Sequence, residues 1–527
     1  VDEPGFDAVI GNPPWVRQET LANLKKALTE TYPSVYDGVA DIYVYVLARG
    51  LAVLKPGGRL GFILPNKWLR ANYGEKLRKT LATQYRPELL VDFGHAPIFP
   101  DADIFPVVAI IRSPHPADSI EAATLRVCLV PREALDEIKL TPFVEKHTFG
   151  VSTLLLKPQG WTLEPPDVLR LFEKIKNSGQ PLKEFIGDVP YRGVVTGLNE
   201  AFFIDQATRD QLIVEDPECD ELIKKLLRGR NIQRWAAEWK KEWLIFSHHS
   251  IEIEKYASIK AHLSKFRKQL EPKADDWDSK ERGEWPGRKP GTYKWYELQD
   301  PVDYHAKLEQ PKIVYQDIQF HSWFTLDREG CYLNNTSYFL PTGDLYLLAL
   351  LNSSLMWWFN HRYLPHGKDE ALRAFTFLVE SLPIPASLPA NRAKIEACTS
   401  RLIELAKSFA EKRASFLQWV THETGIIKVP TTLESPWQLR QEEFLPVLKK
   451  AGLKHPSPTA LQHLSRTFES ESALLRTNRA DALRLERELD DLILKVYTLT
   501  PDEIALLRQT APPRSPLHVL ETELKDK

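Results

Sequence analysis

Phe6-Asp7-Ala8-Val9-Ile10-Gly11-Asn12-Pro13-Pro14-Trp15 is the stretch on which the reading of this chain turns. A short apolar run stopped by Gly, Asn and two prolines reads as a buried strand that ends abruptly. Working outward, residues 41–54 place Ile42, Val46, Leu47 and Leu51 at helical spacing, and Lys55-Pro56-Gly57-Gly58 ends that helix. Residues 59–64 resume as a strand, 73–82 as a helix, and 89–93 and 107–111 as strands. Strands alternating with helices predict an α/β domain on a largely parallel sheet. The pattern turns mixed over 116–166, where the sheet is expected to end.

Residues 167–385 read as a mixed α+β region of short strands at 191–195, 201–204, 243–246, 312–315 and 323–326. Seven of the fourteen tryptophans fall between Trp235 and Trp323. Within 225–295 there are 17 Lys and Arg against 10 Asp and Glu. The Pro-rich segment from Leu382 to Pro389 punctuates the end of the region. Beyond it the chain reads as helical: Ile395, Cys398, Leu402, Leu405 and Phe409 share one face. Leu474, Leu475, Leu485, Leu489, Leu492, Ile493 and Val496 share another. Thr500-Pro501-Asp502-Glu503 is a capping box with Pro at the first helical position. The expected division is 1–155, 156–390 and 391–527.

The bland reading of Asn12-Pro13-Pro14-Trp15 is a turn that ends a strand. The chemical reading starts from an amino group conjugated to an aromatic ring or an amide. Its lone pair is delocalised, so it is a poor nucleophile. Two acceptors against its N–H bonds, the side-chain oxygen of Asn12 and the carbonyl of Pro13, draw the nitrogen toward a tetrahedral geometry. Two prolines fix the backbone that aims that carbonyl, a form of preorganised electrostatics. Trp15 offers a face for the target ring. Neither a metal nor a covalent nucleophile is required.

The motif resembles the Asp/Asn/Ser-Pro-Pro-aromatic signature of S-adenosylmethionine-dependent amino-methyltransferases. Enzymes acting on DNA adenine, rRNA guanine and a release-factor glutamine share it. The following residues are more specific. Asp41-Ile42-Tyr43, the run from Leu54 to Leu69, and Phe99-Pro100 with Phe105-Pro106-Val107-Val108 look like gamma-class adenine-N6 DNA methyltransferases. Tyr191 to Ile204, Leu227 to Ile232, Leu348 to Ser354, Leu382 to Pro385 and Leu489 to Thr500 resemble type IIG restriction–modification enzymes of the Eco57I/TaqI-like kind.

The resemblance implies methyl transfer from S-adenosylmethionine to a flipped-out adenine in double-stranded DNA, within a restriction–modification or phage-defence system. Asn12, Pro13, Pro14, Trp15 and Phe99 are then the catalytic candidates, with Phe105 the rival of Phe99. Asn12, Pro13, Asp41 and Tyr43 would face the cofactor. Lys67, Arg192, Thr196, Gly197, Arg228, Arg230 and Lys294 are the DNA-binding candidates. Lys and Arg neutralise phosphates while aromatic planes stack on bases. The alternative for that tryptophan-rich region is a solvated charged face over core tryptophans. Residues 275–294 match nothing in the resemblance.

Gamma-class enzymes carry a Gly-rich cofactor loop and an acidic strand end ahead of the Pro-Pro motif, and only eleven residues precede Asn12. No G-x-G follows the recognition region, so the permuted order does not apply. The expectation is that Val1 is a cut point inside a larger protein, whose missing part holds the loop and, in type IIG enzymes, a nuclease. The chain alone would then lack cofactor binding and full stability. Two rivals stay open: a methyltransferase without any nuclease, and a DNA-specificity subunit without catalysis of its own.

Composition sets the outer bounds. The chain has 527 residues, 43% hydrophobic and 27% charged, with a net charge of −2. This excludes a disordered or collagen-like chain, and places any nucleic-acid surface locally. The apolar run 345–359 is too short for a membrane span. Cys128, Cys219, Cys331 and Cys398 lie far apart, reading as reduced thiols of a cytoplasmic protein.

Overall fold

The computed structural model describes residues 5–94, 98–99, 105–116, 118, 123–130, 135, 138–161, 163–278, 283–367, 371–386, 389–454 and 456–525. Two compact units result, residues 1–173 and 174–527.

The first unit is built on a six-stranded sheet of order β1-β2-β4-β3-β5-β6. The strands are β1 (Phe6–Gly11), β2 (Leu54–Pro65), β3 (Arg86–Asp92), β4 (Pro106–Arg112), β5 (Thr124–Leu129) and β6 (Phe149–Ser152). β1 runs parallel to β2, and β3 parallel to β5. β4 lies antiparallel to both β2 and β3, and β6 antiparallel to β5. The sheet is therefore mixed where a largely parallel one was expected. After β3 the chain turns back and inserts β4 between β2 and β3. A continuous apolar run such as Val107 to Ile111 reports burial on both faces but carries no strand direction. The sheet also continues through β5 and β6, inside the segment where it was expected to end.

The helix Lys25–Thr31 (α1) is followed by Ile42–Ala52 (α2) and Glu75–Gln84 (α3). Tyr43, Val44, Leu47 and Leu51 of α2 are buried with Leu60, Leu64, Leu90, Val107, Ala109 and Ile111 of the sheet. Gly50 is the contact point: a Cβ there would lie 2.6 Å from Leu60 Cδ1. Arg78 of α3 is fully buried and donates to the carbonyls of Trp68, Ala71 and Pro158, stapling the segment after β2. β1 pairs with β2 alone among the described strands, and its apolar side chains Phe6 and Ile10 are 63% and 85% exposed. An apolar strand with one open edge presents unpaired backbone groups on which another strand could pair.

The second unit holds two four-stranded sheets. One joins Tyr332–Leu333, Ile223–Leu227, Trp243–Ile245 and Phe203–Ile204; the other joins Phe324–Asp327, Lys312–Gln316, Ser337–Leu340 and Tyr191–Arg192. The segment 201–204, expected to be a strand, is half helix: Asn199–Phe202 is helical and only Phe203–Ile204 extends. The apolar run 345–359 forms two buried helices, Leu345–Leu351 and Ser354–Tyr363, broken where Ser353 caps the second. No helix among the described residues is long and apolar enough to cross a membrane. The C-terminal part is helical, led by Pro389–Thr424 and Pro458–Val496. Thr500 and Glu503 form the expected capping box of Pro501–Gln509.

Candidate active site

β2 and β3 both run antiparallel to β4, and β1 runs parallel to β2, so β1, β2 and β3 point the same way. Their carboxyl ends carry Asn12, Asn66 and Asp92. Ligand sites of open α/β sheets form at such ends. Pairing of Gly11 with Phe62 fixes where β1 stops, leaving Asn12 exposed and Pro13 buried. Pro14 is exposed and Trp15 half-buried.

The Phe99 ring meets Trp15 edge to face, centroids 4.8 Å apart at 71°. The Phe105 carbonyl accepts the Asn66 N–H at 2.6 Å and so fixes the end of β2.

Asp41 is the N-cap residue of α2, and its carboxylate accepts the Gln18 N–H at 2.9 Å. Ile42 N–H donates to the Val16 carbonyl at 3.1 Å. These two bonds tie the backbone just after Trp15 to the start of α2. Burial pushes the Asp41 carboxyl up from its usual range, against the pull of nearby Lys67. Lys67 itself is exposed. Tyr43 is fully buried, its hydroxyl 2.7 Å from that of Tyr73, and burial drives its pKa well up. Its side chain packs the core under the site.

Asn66 and Asp92 escaped the reading of the sequence. Asn66 Nδ2 donates to Asp92 Oδ1 at 3.0 Å, and the same oxygen accepts Gly94 N–H at 2.9 Å. A polar residue directly after an apolar strand was the available signal at both positions.

In the second unit, Arg192 is exposed and donates from Nε to the Asn335 carbonyl. Thr196 is buried, its hydroxyl donating to Asn199 Oδ1 at 2.8 Å. Gly197 has φ +76°, and a Cβ there would lie 2.5 Å from Arg288 Cδ. Arg288 is buried inside the unmatched segment and donates to five carbonyls: Leu270, Thr196, Glu297, Lys294 and Trp295. Burial lowers its pKa to about 10. The residue that shapes the Thr196-Gly197 turn thus comes from about ninety positions downstream.

Arg228 and Arg230 share one carboxylate, Glu242, at 2.8 and 3.4 Å. Lys294 is exposed, 3.9 Å from Glu297 and over the Tyr296 ring. Much of the basic excess is internally paired: Lys224 with Glu309, Lys225 with Glu329, and Arg267 with Glu271. The tryptophans pair too, Trp239 with Trp243 and Trp277 with Trp285.

Residues 1–99 match the Eco57I restriction-modification methylase family, and residues 224–384 the TaqI-like C-terminal specificity domain. Two separate parts of the chain are thus similar to type IIG-like restriction–modification methyltransferases. Residues 388–493 match a domain of unknown function. Type II methyltransferase M.PaeR7I of Pseudomonas aeruginosa is 28% identical over 368 residues, 66% of this chain and 58% of that protein. M.BstVI of Geobacillus stearothermophilus is 23% identical over 443 residues, 80% of this chain and 75% of its own length. Among solved structures, the type IIL restriction-modification enzyme MmeI, in complex with DNA, superimposes with a TM-score of 0.50 at 11% identity. That match covers 98% of this chain and 57% of MmeI, and it shows a shared fold. The chain thus spans little more than half of M.PaeR7I and of MmeI.

Proposed function

We propose that this chain supplies the amine-holding and target-recognition portions of a site-specific DNA methyltransferase that modifies adenine N6 in a restriction–modification or phage-defence system. The observation that carries the reading is Asn12, exposed at the carboxyl end of β1, three residues from the Trp15–Phe99 ring pair. Asn12 Oδ1 and the Pro13 carbonyl accept the two N–H bonds of the exocyclic amine, so its lone pair turns toward the methyl donor. Trp15 and Phe99 wall the base. Asn12 is a neutral amide, so it holds the amine without competing as a nucleophile.

S-adenosylmethionine, when bound, supplies an electrophilic methyl group on a sulfonium centre. The residues present fit such a group on its acceptor-facing side. Aromatic faces at Trp15 and Phe99 suit a cation, and the half-buried Asp41 carboxylate accepts the N–H of Gln18, three residues beyond Trp15. Asn12, Pro13 and Asp41 would hold it, with Tyr43 supporting α2 from the core. The bare edge of β1, where Phe6 and Ile10 stand exposed, is assigned as the joint to an upstream half of the sheet bearing the Gly-rich cofactor loop.

A duplex adenine reaches Asn12 only when turned out of the stack. Residues 1–155 are assigned to methyl transfer, 156–390 to target recognition and 391–527 to the helical region. Exposed Lys67, Arg192, Arg230 and Lys294 are assigned to phosphates, and Arg228 and the Thr196-Gly197 turn are assigned to DNA binding as well. The setting is the bacterial cytoplasm.

The test is product identity. The chain, joined to its natural upstream sequence, is incubated with S-adenosylmethionine and duplex DNA, and the digested nucleosides are resolved by mass spectrometry. N6-methyladenine is expected. Methylation confined to cytosine, or none, contradicts the reading.

A further inference from the structure

Gln319 lies in the second unit on the strand Ile318–Gln319, which pairs with Leu372–Arg373. Strand alternation points Ile318 and Phe320 to solvent and Gln319 inward, where it is only 2% exposed. Both polar atoms of its amide, Nε2 and Oε1, are buried with no hydrogen-bond partner among the described residues. An unpaired buried amide is costly, and nearly all buried polar side chains in folded proteins are satisfied. The amide is sealed where it stands and borders a recess, so a ligand meets it when the side chain turns into that space, and it then asks for a partner that presents one donor and one acceptor side by side.

The surroundings say what kind of partner. Gln319 lines a recess of about 340 Å³ with Gln316, Phe320, His321, Trp323 and Arg514. His321 and Trp323 stack on each other, centroids 4.9 Å apart and 13° from parallel. His321, Trp323 and Arg514 also line an adjoining cavity of about 260 Å³. Volumes of this order accept a small planar ligand and its appendage.

The walls are braced before any ligand arrives. Arg373 donates to both oxygens of Asp317, at 3.1 and 2.8 Å, and Ala374 N–H donates to the Asp317 carbonyl. Between the stacked rings, Ser322 donates to the Leu351 carbonyl at 2.7 Å. Asn352 accepts Phe324 N–H at 3.0 Å and donates back to its carbonyl at 2.9 Å. The Leu-Asn-Ser-Ser motif singled out in the sequence therefore clamps the loop that carries the aromatic pair.

We propose that this recess binds an adenine nucleotide: the Gln319 amide reads the N6 and N7 edge, His321 and Trp323 provide a planar aromatic surface, and Arg514 supplies positive charge for the phosphate. A carboxamide matches adenine N6–H and N7 in a bidentate pair, whereas a 6-oxo purine offers two acceptors there. The chemistry is shared by a free adenine nucleotide and by an unstacked adenine of a DNA strand. The site does not rest on the methyl-transfer reading, and a chain without that activity would still bind.

Isothermal titration of the 527-residue chain tests it, with AMP, IMP, and a twelve-nucleotide dT strand carrying one central dA or dI. Adenine is expected to bind roughly tenfold or more tightly than its 6-oxo counterpart. Gln319→Leu is expected to lose that preference by a similar factor, while its thermal midpoint holds or rises because Leu needs no partner. A preference that Gln319→Leu abolishes supports the site, marking a free nucleotide when seen with AMP and a DNA adenine when seen only in the strand; one that Gln319→Leu leaves intact belongs to the Asn12 site and overturns the proposal. Absence of binding by both, or a Gln319→Leu chain that discriminates as the native one does, would mean that the recess holds only water.

Discussion

The Phe99 ring stands edge-on to Trp15, the two centroids 4.8 Å apart, so one aromatic surface is built from residues 84 positions apart. A base lying beside Asn12 would lose half of that surface on truncation of either ring. Base stacking on an aromatic side chain is worth about 1–3 kcal/mol. Phe99→Ala is expected to lower kcat/KM of the completed enzyme by roughly tenfold or more, and Phe99→Tyr to restore most of it. Steady-state methyl transfer to duplex DNA reads both variants.

Arg288 is a structural keystone of the second unit. Of its five main-chain acceptors, Thr196 lies in the Thr196-Gly197 turn and the other four are Leu270, Lys294, Trp295 and Glu297. Lysine cannot reproduce that planar fork. Arg288→Lys and Arg288→Ala should each destabilise the second unit by about 3 kcal/mol or more, because several buried carbonyls lose their donors. Urea unfolding followed by tryptophan fluorescence checks this, and a midpoint unchanged from the native chain would contradict it.

Two buried groups in the second unit pull stability in opposite directions with pH. Burial, with Glu486 close by, raises the Asp490 carboxyl to about 6, against Arg508 and Arg234. Folded Asp490 holds its proton where the unfolded chain has lost it, so this group costs stability as pH climbs from about 4 to 6, by about 3 kcal/mol at most. Burial and Arg514 lower His321 to about 4. The unfolded chain binds that proton more readily, so His321 adds stability over the same climb. Native stability should therefore change little from these two groups together. Asp490→Asn should make stability rise from pH 4 to 6, and His321→Gln should make it fall. Chemical denaturation at several pH values separates the variants.

Paired charges limit how much of the recognition region can meet phosphate. Arg228 and Arg230 share Glu242, whereas Arg192 stands exposed with only a carbonyl contact. If DNA is held through phosphates, affinity falls steeply with salt, and each phosphate contact removed lowers the log–log slope by about one. Arg192→Ala should flatten the slope by about that amount, and Lys225→Ala, paired with Glu329, by much less. A salt-independent affinity in the native chain would contradict the electrostatic account.

The strands flanking Asn12 were legible because apolar runs punctuated by Gly, Asn and Pro have few other solutions. Strand direction was not, since β4 and its neighbours carry similar β-branched runs whichever way they point. The helix at 199–202 was hidden because Ala201 and Phe202 are buried equally well in a helix or a strand. Asn12 and Trp15 could be named from the chemistry of the motif and Phe99 from the family resemblance, while Asn66, Asp92, Arg288 and Gln319 could not. Each of these acts through partners distant in sequence, or through the lack of one, and neither leaves a periodic trace. Tyr43 shows the converse limit: its place beside Asp41 was legible, but its burial against Tyr73 was not.

Substitution of Asn12 tests the central claim most directly. In the full-length protein, Asn12→Ala should abolish methyl transfer to duplex DNA while leaving DNA affinity within about twofold of native, because one exposed side chain adds little to an interface set by phosphate contacts. Substantial residual adenine methylation by the Asn12→Ala enzyme would contradict the account.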